Sequence, residues 1–238
     1  MNWLGKLFGG GQQQEIALTP TQRQAVAEWR NLPLPDLSLP HMQSRYVVVD
    51  VETSGLHMKK DKLISIGAVA VVDGAIDIND AFEVVLRQEA ASANENILIH
   101  GIDGSAQREG MAPPDALIAF LGYLGKAPLV AYHAVFDQTM IERAMAEFLG
   151  IKLGQTWIDL AWVMPDLFRD HVDRQLALDD WLHLFDIENI QRHNALSDAY
   201  ATAKLLQVAM ACGKQRGVDS PNGFVEIEKA RRWNRRGG

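Results

Sequence analysis

The densest apolar stretches of the chain are short and rich in β-branched residues. Residues 46–51 are almost continuously apolar, which is typical of a strand covered on both faces and therefore central in its sheet. Residues 63–72 form a second apolar run that ends at Asp73-Gly74, a turn signal, and residues 81–86 follow as a third strand. We predict that these three segments form an antiparallel meander.

Beyond the meander, strand and helix patterns alternate. Short β-branched runs and apolar residues at helical spacing predict, in chain order, a helix over residues 114–124, a strand over 129–132, a helix over 138–149, a strand over 156–160, and helices near 161–168, 178–185 and 195–211. Three antiparallel strands followed by such alternation predict an α/β fold. Its sheet is mixed and five-stranded, three antiparallel strands and then two parallel ones, with helices on both faces.

The two ends of the chain differ from this pattern. Residues 19–30 predict a short amphipathic helix, and the prolines of residues 31–41 predict a stiff connector. With 238 residues and 47% hydrophobic content, the chain can bury one substantial core, so we expect one main domain with appendages. We divide it into an N-terminal arm (residues 1–41), a main domain (42–213) and a basic C-terminal tail (214–238).

Composition narrows the environment and the partners. The single cysteine, Cys212, excludes an internal disulfide framework and a thiolate metal cluster, so a metal would need oxygen and imidazole ligands. Without a signal segment or an apolar run of about 18 residues, we expect a soluble cytoplasmic protein with no membrane association. The net charge of -7 opposes non-specific binding to polyanions. Binding of a nucleic acid would therefore require local positive charge, from divalent metals at a carboxylate cluster or from basic residues 229–236. The alternative interpretation of residues 229–236 is a solvated disordered end.

Two carboxylates stand at the end of the central predicted strand. Asp50 and Glu52 share one face of it, roughly 6.6 Å apart along the strand. Buried carboxylates are costly without a cation, so a divalent metal is the natural partner, unless the strand end reaches water. Thr53, Ser54 and Gly55 then leave the strand, and their hydroxyls and N–H groups either hold a substrate terminus or simply form the turn.

Three further ionisable residues lie where helices are predicted to begin. Asp137 follows a predicted strand, and there an N-cap role is compatible with metal ligation. If Asn194 caps the last helix, Asp198 lies in its first turn and His193 in the loop just before it. A histidine on a loop suits proton transfer at neutral pH better than permanent metal ligation, although a lone one is usually ordinary surface.

Together these segments resemble four ordered motifs of the DEDDh 3′-to-5′ exonucleases, which have the RNase H-like fold. That family includes the proofreading epsilon subunit of bacterial replicative polymerases, RNase T and oligoribonuclease. The resemblance covers about residues 45–213 and rests on residues 48–56 (VVDVETSGL, similar to D-x-E-T-T-G-L), 99–102 (IHGI), 132–137 (YHAVFD, similar to H-N-x-x-F-D) and 193–198 (HNALSD, similar to H-x-x-x-x-D). Ser54 replaces the commoner second threonine, and Tyr132 and His133 depart from the family's His-Asn pair.

The resemblance implies a two-metal site. Four carboxylates would hold two Mg²⁺ or Mn²⁺ ions around the scissile phosphate, with His193 as general base, the ligands being Asp50, Glu52, Asp137 and Asp198. The end of the substrate would meet Thr53, Ser54, Gly55, Leu56, His100 and Phe136. Leu56 and Phe136 are candidates to stack or wedge against terminal bases, and a core position is the alternative for Phe136.

The implied activity is 3′-to-5′ hydrolysis of single-stranded or frayed DNA ends to nucleoside 5′-monophosphates, as in DNA replication and repair. The same residues also suit an exoribonuclease or an enzyme that degrades short oligonucleotides. A partner-binding module that keeps the fold is a third hypothesis. Residues 175–179 faintly resemble a sliding-clamp-binding peptide but fit the start of a buried helix better. Polymerase association and oligomeric state stay open, because the family includes monomers and dimers.

Overall fold

A five-stranded mixed sheet forms the centre of the protein. The computed structural model describes residues 16–170, 172 and 174–236. The strand order is β3-β2-β1-β4-β5, with strands Arg45–Thr53 (β1), Leu63–Val72 (β2), Ala75–Val85 (β3), Leu129–Ala131 (β4) and Trp157–Asp159 (β5). Strand β2 pairs antiparallel with β1 and β3, whereas β1 with β4 and β4 with β5 pair in parallel. The predicted mixed sheet of the RNase H-like fold is confirmed.

Helices cover both faces of this sheet. In the described part of the chain they are Pro20–Arg30 (α1), Asn94–His100 (α2), Gly104–Glu109 (α3), Pro113–Leu124 (α4), Val135–Leu149 (α5), Leu160–Leu167 (α6), Leu178–Leu184 (α7), Ala195–Gln215 (α8) and Pro221–Arg236 (α9). Helices α1, α4 and α5 contribute to the core on one face, and α6, α7, α8 and α9 to the core on the other. The sequence pattern missed α2 and α3, because helices of seven and six residues are too short to show an apolar period. None of the described helices is long and apolar enough to cross a membrane.

Strand β1 is central because both of its faces are buried. Val47, Val49 and Val51 belong to the core under α4 and α5. Tyr46 and Val48 belong to the core under α6 and α8. A strand enclosed in this way needs apolar residues at successive positions, which explains its continuous apolar run.

A tight hairpin joins β2 to β3 at the predicted turn. Asp73 and Gly74 have φ values of 52° and 74°, as a two-residue type I′ turn requires. Strand β3 begins at Ala75 rather than at residue 81. It lies at one edge of the sheet and exposes Asp77 and Asn79, so that its first half lacks the apolar pattern of a covered strand.

The predicted N-terminal arm packs on the main body of the protein. Thr19 caps α1, and Val26 and Trp29 are buried in the core that α4 shares. The indole Nε1 of Trp29 also donates to the carbonyl oxygen of Gly125 at 2.7 Å. Residues 1–15 lie outside the described residues, and the domain boundaries at residues 42 and 213 stay predictions.

The basic C-terminal segment is helical. The interpretation of residues 229–236 as a solvated disordered end is wrong for the described residues, because Pro221–Arg236 forms α9. Phe224 is fully buried, and the helix packs on α6 and β5. Residues 229–236 form only the charged end of this helix, and the apolar residues that anchor it lie one to three turns earlier.

Candidate active site

The end of β1 places two carboxylates in one cleft. Asp50 and Glu52 both line a cavity of about 550 Å³, which we call the catalytic cleft. They share a face of the strand, as their spacing predicts. The same cleft is lined by residues of α2, of the β4–α5 junction and of the segment that precedes α8.

Helix α8 brings a third carboxylate to this point. Asn194 is its N-cap and accepts a hydrogen bond from the backbone N–H of Ser197 at 2.9 Å, which confirms the predicted start of the helix. Asp198 therefore lies in the first turn. Carboxylate oxygens of Asp50, Glu52 and Asp198 all lie within 4.8 Å of one another, close enough to share a metal ion.

A glycine on β2 allows α8 to begin so close to the sheet. Gly67 pairs with Asp50 across the β1–β2 ladder. A Cβ atom added at Gly67 would lie 2.2 Å from the backbone of Ala195 and Leu196, at the start of α8. Only a residue without a side chain fits here, because both neighbouring atoms belong to backbone. No feature of the sequence marks this glycine as part of the site.

Asp137, on α5, is the fourth predicted carboxylate. Among the described residues it belongs neither to the group whose oxygens converge within 4.8 Å nor to the lining of the catalytic cleft. Ala134 is the N-cap of α5, so the predicted N-cap role of Asp137 is wrong, and this residue lies in the first turn instead. Its side chain is buried, with 5% of the residue exposed. Burial raises the pKa of Asp137 to about 8, although backbone N–H groups of Asp137 and Val51 act in the opposite direction. Its negative charge in turn raises the pKa of Asp50.

Without a cation, the carboxyl groups of the cluster cannot all be ionised at neutral pH. Burial raises the pKa of Asp50 well above its ordinary value, and the charges of Asp137, Asp198 and Glu52 raise it further. Burial, followed by the charge of Asp198, raises the pKa of Glu52 to about 8. These donors are all carboxylate oxygens, which suit Mg²⁺ and Mn²⁺. The site therefore fits divalent metal ions.

Arg192 is a counter-charge that the sequence argument missed. Its Nη1 atom donates to Asp198 Oδ1 at 2.7 Å, and its Nε atom donates to Asp179 Oδ1 at 2.8 Å. Its charge lowers the pKa values of Asp50 and Glu52. Its position directly before His193 was the only signal in the sequence, and that position alone does not show which carboxylate it meets.

His193 stands at the mouth of the cleft. It lies just before α8, lines the catalytic cleft and is exposed. Its backbone N–H donates to Asp198 Oδ2 at 2.9 Å, and its φ is 61°. A left-handed backbone is uncommon for residues other than glycine and concentrates at functional sites. The contact to Asp198 fixes the start of the histidine side chain close to the carboxylates and leaves its ring facing solvent.

The turn after β1 uses its hydroxyls internally. Thr53 Oγ1 donates to the carbonyl oxygen of Gly55 at 2.7 Å, and Ser54 Oγ accepts from the backbone N–H of Lys62 at 2.9 Å. Both hydroxyls therefore stabilise the turn, which is one of the two roles that the sequence predicts for them. In the described residues, the lining of the catalytic cleft includes Thr53 and Gly55 but not Ser54.

Apolar side chains form one rim of the cleft. Leu56 is 86% exposed and Ile99 is 54% exposed. Phe136 lines the cleft and also packs against the core. Its position is therefore compatible both with contact to a terminal base and with a role in the core. His100 lines the cleft as well, but it is nearly buried and its Nδ1 accepts from the backbone N–H of Ile102 at 3.0 Å. Burial lowers the pKa of His100, which favours a neutral ring.

The two residues that depart from the second motif have structural partners. The Tyr132 hydroxyl donates to the carbonyl oxygen of Leu176 at 2.5 Å. The backbone N–H of His133 donates to Asp159 Oδ1 at 2.9 Å. Both residues line the catalytic cleft. They therefore tie this side of the cleft to the segment before α7 and to the end of β5.

Comparison with known proteins agrees with this geometry. A family model described as Exonuclease, RNase_T, matches residues 47–206, which hold all four motifs. The chain belongs to the DEDDh-type 3′-to-5′ exonuclease family. This confirms the family that the sequence motifs predict.

Curated relatives of this exonuclease-family chain are much longer proteins. It is 30% identical over 179 residues to the DNA polymerase III PolC-type of Caldanaerobacter subterraneus subsp. tengcongensis, covering 75% of this chain and 12% of the relative. It is 27% identical to the PolC-type protein of Thermotoga petrophila, covering 73% and 12%. The chain thus spans about 12% of the length of these relatives.

Solved structures of nucleases share the fold. E. coli Exonuclease I in complex with a dT13 oligonucleotide aligns with a TM-score of 0.61 at 20% identity, over 73% of this chain and 42% of that one. Exonuclease X in complex with 5′ overhanging duplex DNA aligns with a TM-score of 0.60 at 20% identity, over 77% and 99%. These alignments confirm the architecture.

Gly67→Ala should disrupt the cluster. The new methyl group must displace the start of α8, so we expect a loss of roughly 1–3 kcal/mol in stability and, because Asp198 moves, about a 100-fold loss of nuclease activity. Thermal unfolding and initial rates measure both effects. Gly122→Ala on α4 is the matched control, because nothing lies within 4 Å of its added Cβ atom. Equal behaviour of the two variants would contradict this role of Gly67.

The stability of the metal-free protein should fall as the pH rises from about 5 to 9. Glu52 and Asp137 have folded pKa values of about 8, against ordinary values of 4.5 and 3.8. At pH values between the ordinary and the folded pKa, the folded state holds more protons than the unfolded state. The stabilisation that these two groups contribute is therefore complete below about pH 4 and is lost as the pH rises through 8. Thermal unfolding in EDTA measures the trend. Glu52→Gln should flatten it, and an unchanged slope in that variant would rule out Glu52 as a source.

Arg192→Gln should destabilise the protein only when divalent metal is absent. We expect a loss of about 1–2 kcal/mol in EDTA, below the value for a fully buried pair because the arginine is partly exposed. Saturating Mg²⁺ should remove most of this difference, since it supplies the missing positive charge. Thermal unfolding with EDTA and with Mg²⁺ measures it. An equal loss in both conditions would show that Arg192 acts through packing alone.

Proposed function

We propose that the protein is a metal-dependent 3′-to-5′ exonuclease that releases nucleoside 5′-monophosphates from single-stranded or frayed DNA ends. One observation carries this proposal. Asp50, Glu52 and Asp198 converge within 4.8 Å in a chain of the exonuclease family. The charge of Asp137 raises the pKa of Asp50, and His193 contacts Asp198 through its backbone. These are the five positions that the family motifs predict.

The four carboxylates would hold the divalent ions. They offer only oxygen donors, and they are buried or half-buried, so that a bound cation offsets charges that otherwise cost free energy to bury. Two bound ions would stabilise negative charge on the attacking and leaving oxygens and lower the pKa of the attacking water. Mg²⁺ or Mn²⁺ is the expected metal, and two ions are the expected number.

His193 would remove the proton from the attacking water. Its ring faces solvent at the mouth of the cleft, and a neutral imidazole accepts protons near neutral pH. The water oxygen forms a bond to phosphorus while the bond from phosphorus to the 3′ oxygen breaks. The proton of the water passes to the imidazole, and the departing 3′ oxygen takes a proton from solvent. The product is a nucleoside 5′-monophosphate.

The apolar rim would hold the end of the strand. Leu56 and Ile99 expose apolar surface to the cleft, and Phe136 adds an aromatic ring. Apolar and aromatic surfaces bind bases of any sequence, because every base has a π face. A DNA substrate is supported by the relatives, which are DNA polymerases of the PolC type, and by structural neighbours that bind DNA, a dT13 oligonucleotide in one case and 5′ overhanging duplex DNA in the other.

Two other functions use the same fold. An exoribonuclease would need the same five residues and would differ only in how it treats a 2′-hydroxyl. Association with a polymerase is suggested by the names of the curated relatives, of which this chain spans about 12%. Clamp binding through residues 175–179 is disfavoured, because Leu178 begins α7 and the nearby Trp181 is fully buried.

End-labelled oligonucleotides test this function. With Mg²⁺ or Mn²⁺, a 5′-labelled single strand should shorten one nucleotide at a time, and a 3′-labelled strand should release labelled mononucleotide at once. EDTA should stop both reactions. Matched RNA and mismatched duplex substrates rank the alternatives. Cleavage within the strand, release from the 5′ end or full activity in EDTA would refute the proposal.

A further inference from the structure

A basic groove lies outside the catalytic cleft, between α6 and α9. Its volume is about 710 Å³, and we call it the α6–α9 groove. Its charged lining consists of three arginines and one aspartate, a net charge of +2, on a chain whose formal net charge is -7. These residues are Arg174, Arg231, Arg235 and Asp166. The groove therefore concentrates positive charge on an acidic protein.

Aromatic, amide and carboxylate contacts hold two of these arginines in place, Arg235 and Arg231. The guanidinium carbon of Arg235 lies 5.4 Å from the centroid of the Trp162 ring, and its Nη1 donates to Gln175 Oε1 at 2.9 Å. Arg231 pairs with Asp166 at 3.2 Å. Stacking on an aromatic ring uses none of the five N–H donors of a guanidinium group, and each of these hydrogen bonds uses one. Donors on both arginines thus remain for an anion.

One short segment of chain before α7 borders both the groove and the catalytic cleft. Arg174 and Gln175 line the groove, whereas Ala177 and Leu178 line the cleft. Four residues of extended chain span at most about 14 Å. A stacked strand carries one phosphate per roughly 3.4 Å, so about four nucleotides cover the same length.

Helix α9 is fixed to the catalytic cleft by a chain of polar contacts. Arg232 Nη2 donates to Asp159 Oδ2 at 3.0 Å, and Asp159 Oδ1 accepts from the backbone N–H of His133 at 2.9 Å. His133 lines the cleft. The guanidinium group of Arg232 also lies over Trp162, 4.9 Å from the ring centroid. Arg231 and Arg235, on the same helix, therefore have a defined position relative to the cleft.

We propose that the α6–α9 groove binds backbone phosphates of the substrate strand, several nucleotides from the bond that is cut. This inference rests on the proposed function and identifies where its substrate extends. Arginine forks match phosphate geometry and carry no base preference, so the contact is independent of sequence. It also resolves how a protein of net charge -7 holds a polyanion, since attraction is restricted to the groove and the metal site.

The length of the oligonucleotide tests the groove. We expect Arg235→Gln to raise the KM about tenfold for release from a single strand of 16 nucleotides and to leave the kcat unchanged, because one charge-assisted phosphate contact is lost. Values for a strand of 4 nucleotides should not change, which also shows that the variant is folded. Binding of the longer strand can be measured by fluorescence anisotropy in EDTA. The slope of log binding constant against log salt concentration should be shallower by about 0.7 for the variant than for the wild type, because one phosphate contact is lost.

Lys229→Gln is the matched control for this test. It removes the same charge from the same helix, but Lys229 pairs with Glu226 at 2.9 Å and does not line the groove as described. Wild-type behaviour of this variant with both strands supports the proposal. Equal effects of Arg235→Gln and Lys229→Gln, or equal effects on both strand lengths, would overturn it. Absence of metal-dependent hydrolysis in every variant would instead refute the proposed function, and the anisotropy would still report on the groove.

Discussion

Replacing Asp50 by asparagine should stop hydrolysis while it stabilises the metal-free fold. Loss of an outer-shell partner of a metal site costs about 10–100-fold, and Asp50 is a proposed ligand, so we expect the rate to fall by well over 100-fold. The half-buried carboxyl of Asp50 has a raised pKa because desolvation and three neighbouring carboxylates oppose its charge. The neutral amide removes that penalty at pH 8, where a gain of 1 kcal/mol corresponds to roughly 2–4 °C in melting temperature.

Initial rates with Mg²⁺ and thermal unfolding in EDTA measure the two effects. Loss of a metal ligand should lower the rate and raise the melting temperature, whereas misfolding would lower both the rate and the melting temperature. Asp73→Asn provides the same chemical change at an exposed turn, where φ is 52° and asparagine is well tolerated. That variant should match the wild type in both assays. An Asp50→Asn protein that keeps its activity would contradict the assignment of this residue.

His193→Gln should lower the kcat by about 10²–10⁴-fold, the contribution typical of a positioned general base. The ring faces solvent and only the backbone contacts Asp198, so the metal site should survive. We therefore expect the increase in melting temperature on addition of Mg²⁺ to equal that of the wild type. This increase distinguishes a proton acceptor from a metal ligand.

The control for His193 is His183→Gln, on the exposed face of α7. It should leave both the rate and the stabilisation by Mg²⁺ unchanged. If His193→Gln loses the stabilisation by Mg²⁺ together with its activity, the histidine is a ligand and another group must accept the proton. A near-normal rate in His193→Gln would remove it from the mechanism.

Periodicity alone predicts the parts of the site that depend on local geometry. Asp50 and Glu52 share a face because side chains alternate along a strand. Asn194 sets the start of α8, and this start places Asp198 in the first turn and His193 just outside it. The central position of β1 likewise follows from its uninterrupted apolar run.

Features that depend on tertiary approach could not be predicted from the sequence. Gly67 matters only because α8 begins against it, and a glycine within a strand carries no sign of its neighbour. Arg192 lies among charged and polar residues of a loop, and its two partners become clear only when α7 and α8 are in place. The basic end of α9 resembled a solvated tail because the residues that hold it, such as Trp162 and Asp159, belong to other segments.

A titration with Mn²⁺ that follows binding and hydrolysis in the same samples tests the central claim most directly. Bound Mn²⁺ and the rate of mononucleotide release should rise together in the wild type, saturate near two ions per chain, and both collapse in Asp50→Asn. Binding at the cluster should also grow weaker as the pH falls below about 8, because Glu52 and Asp137 then take up protons that the metal must displace. Hydrolysis without bound Mn²⁺, or unchanged binding of Mn²⁺ in Asp50→Asn, would contradict the assignment of this cluster as the catalytic metal site.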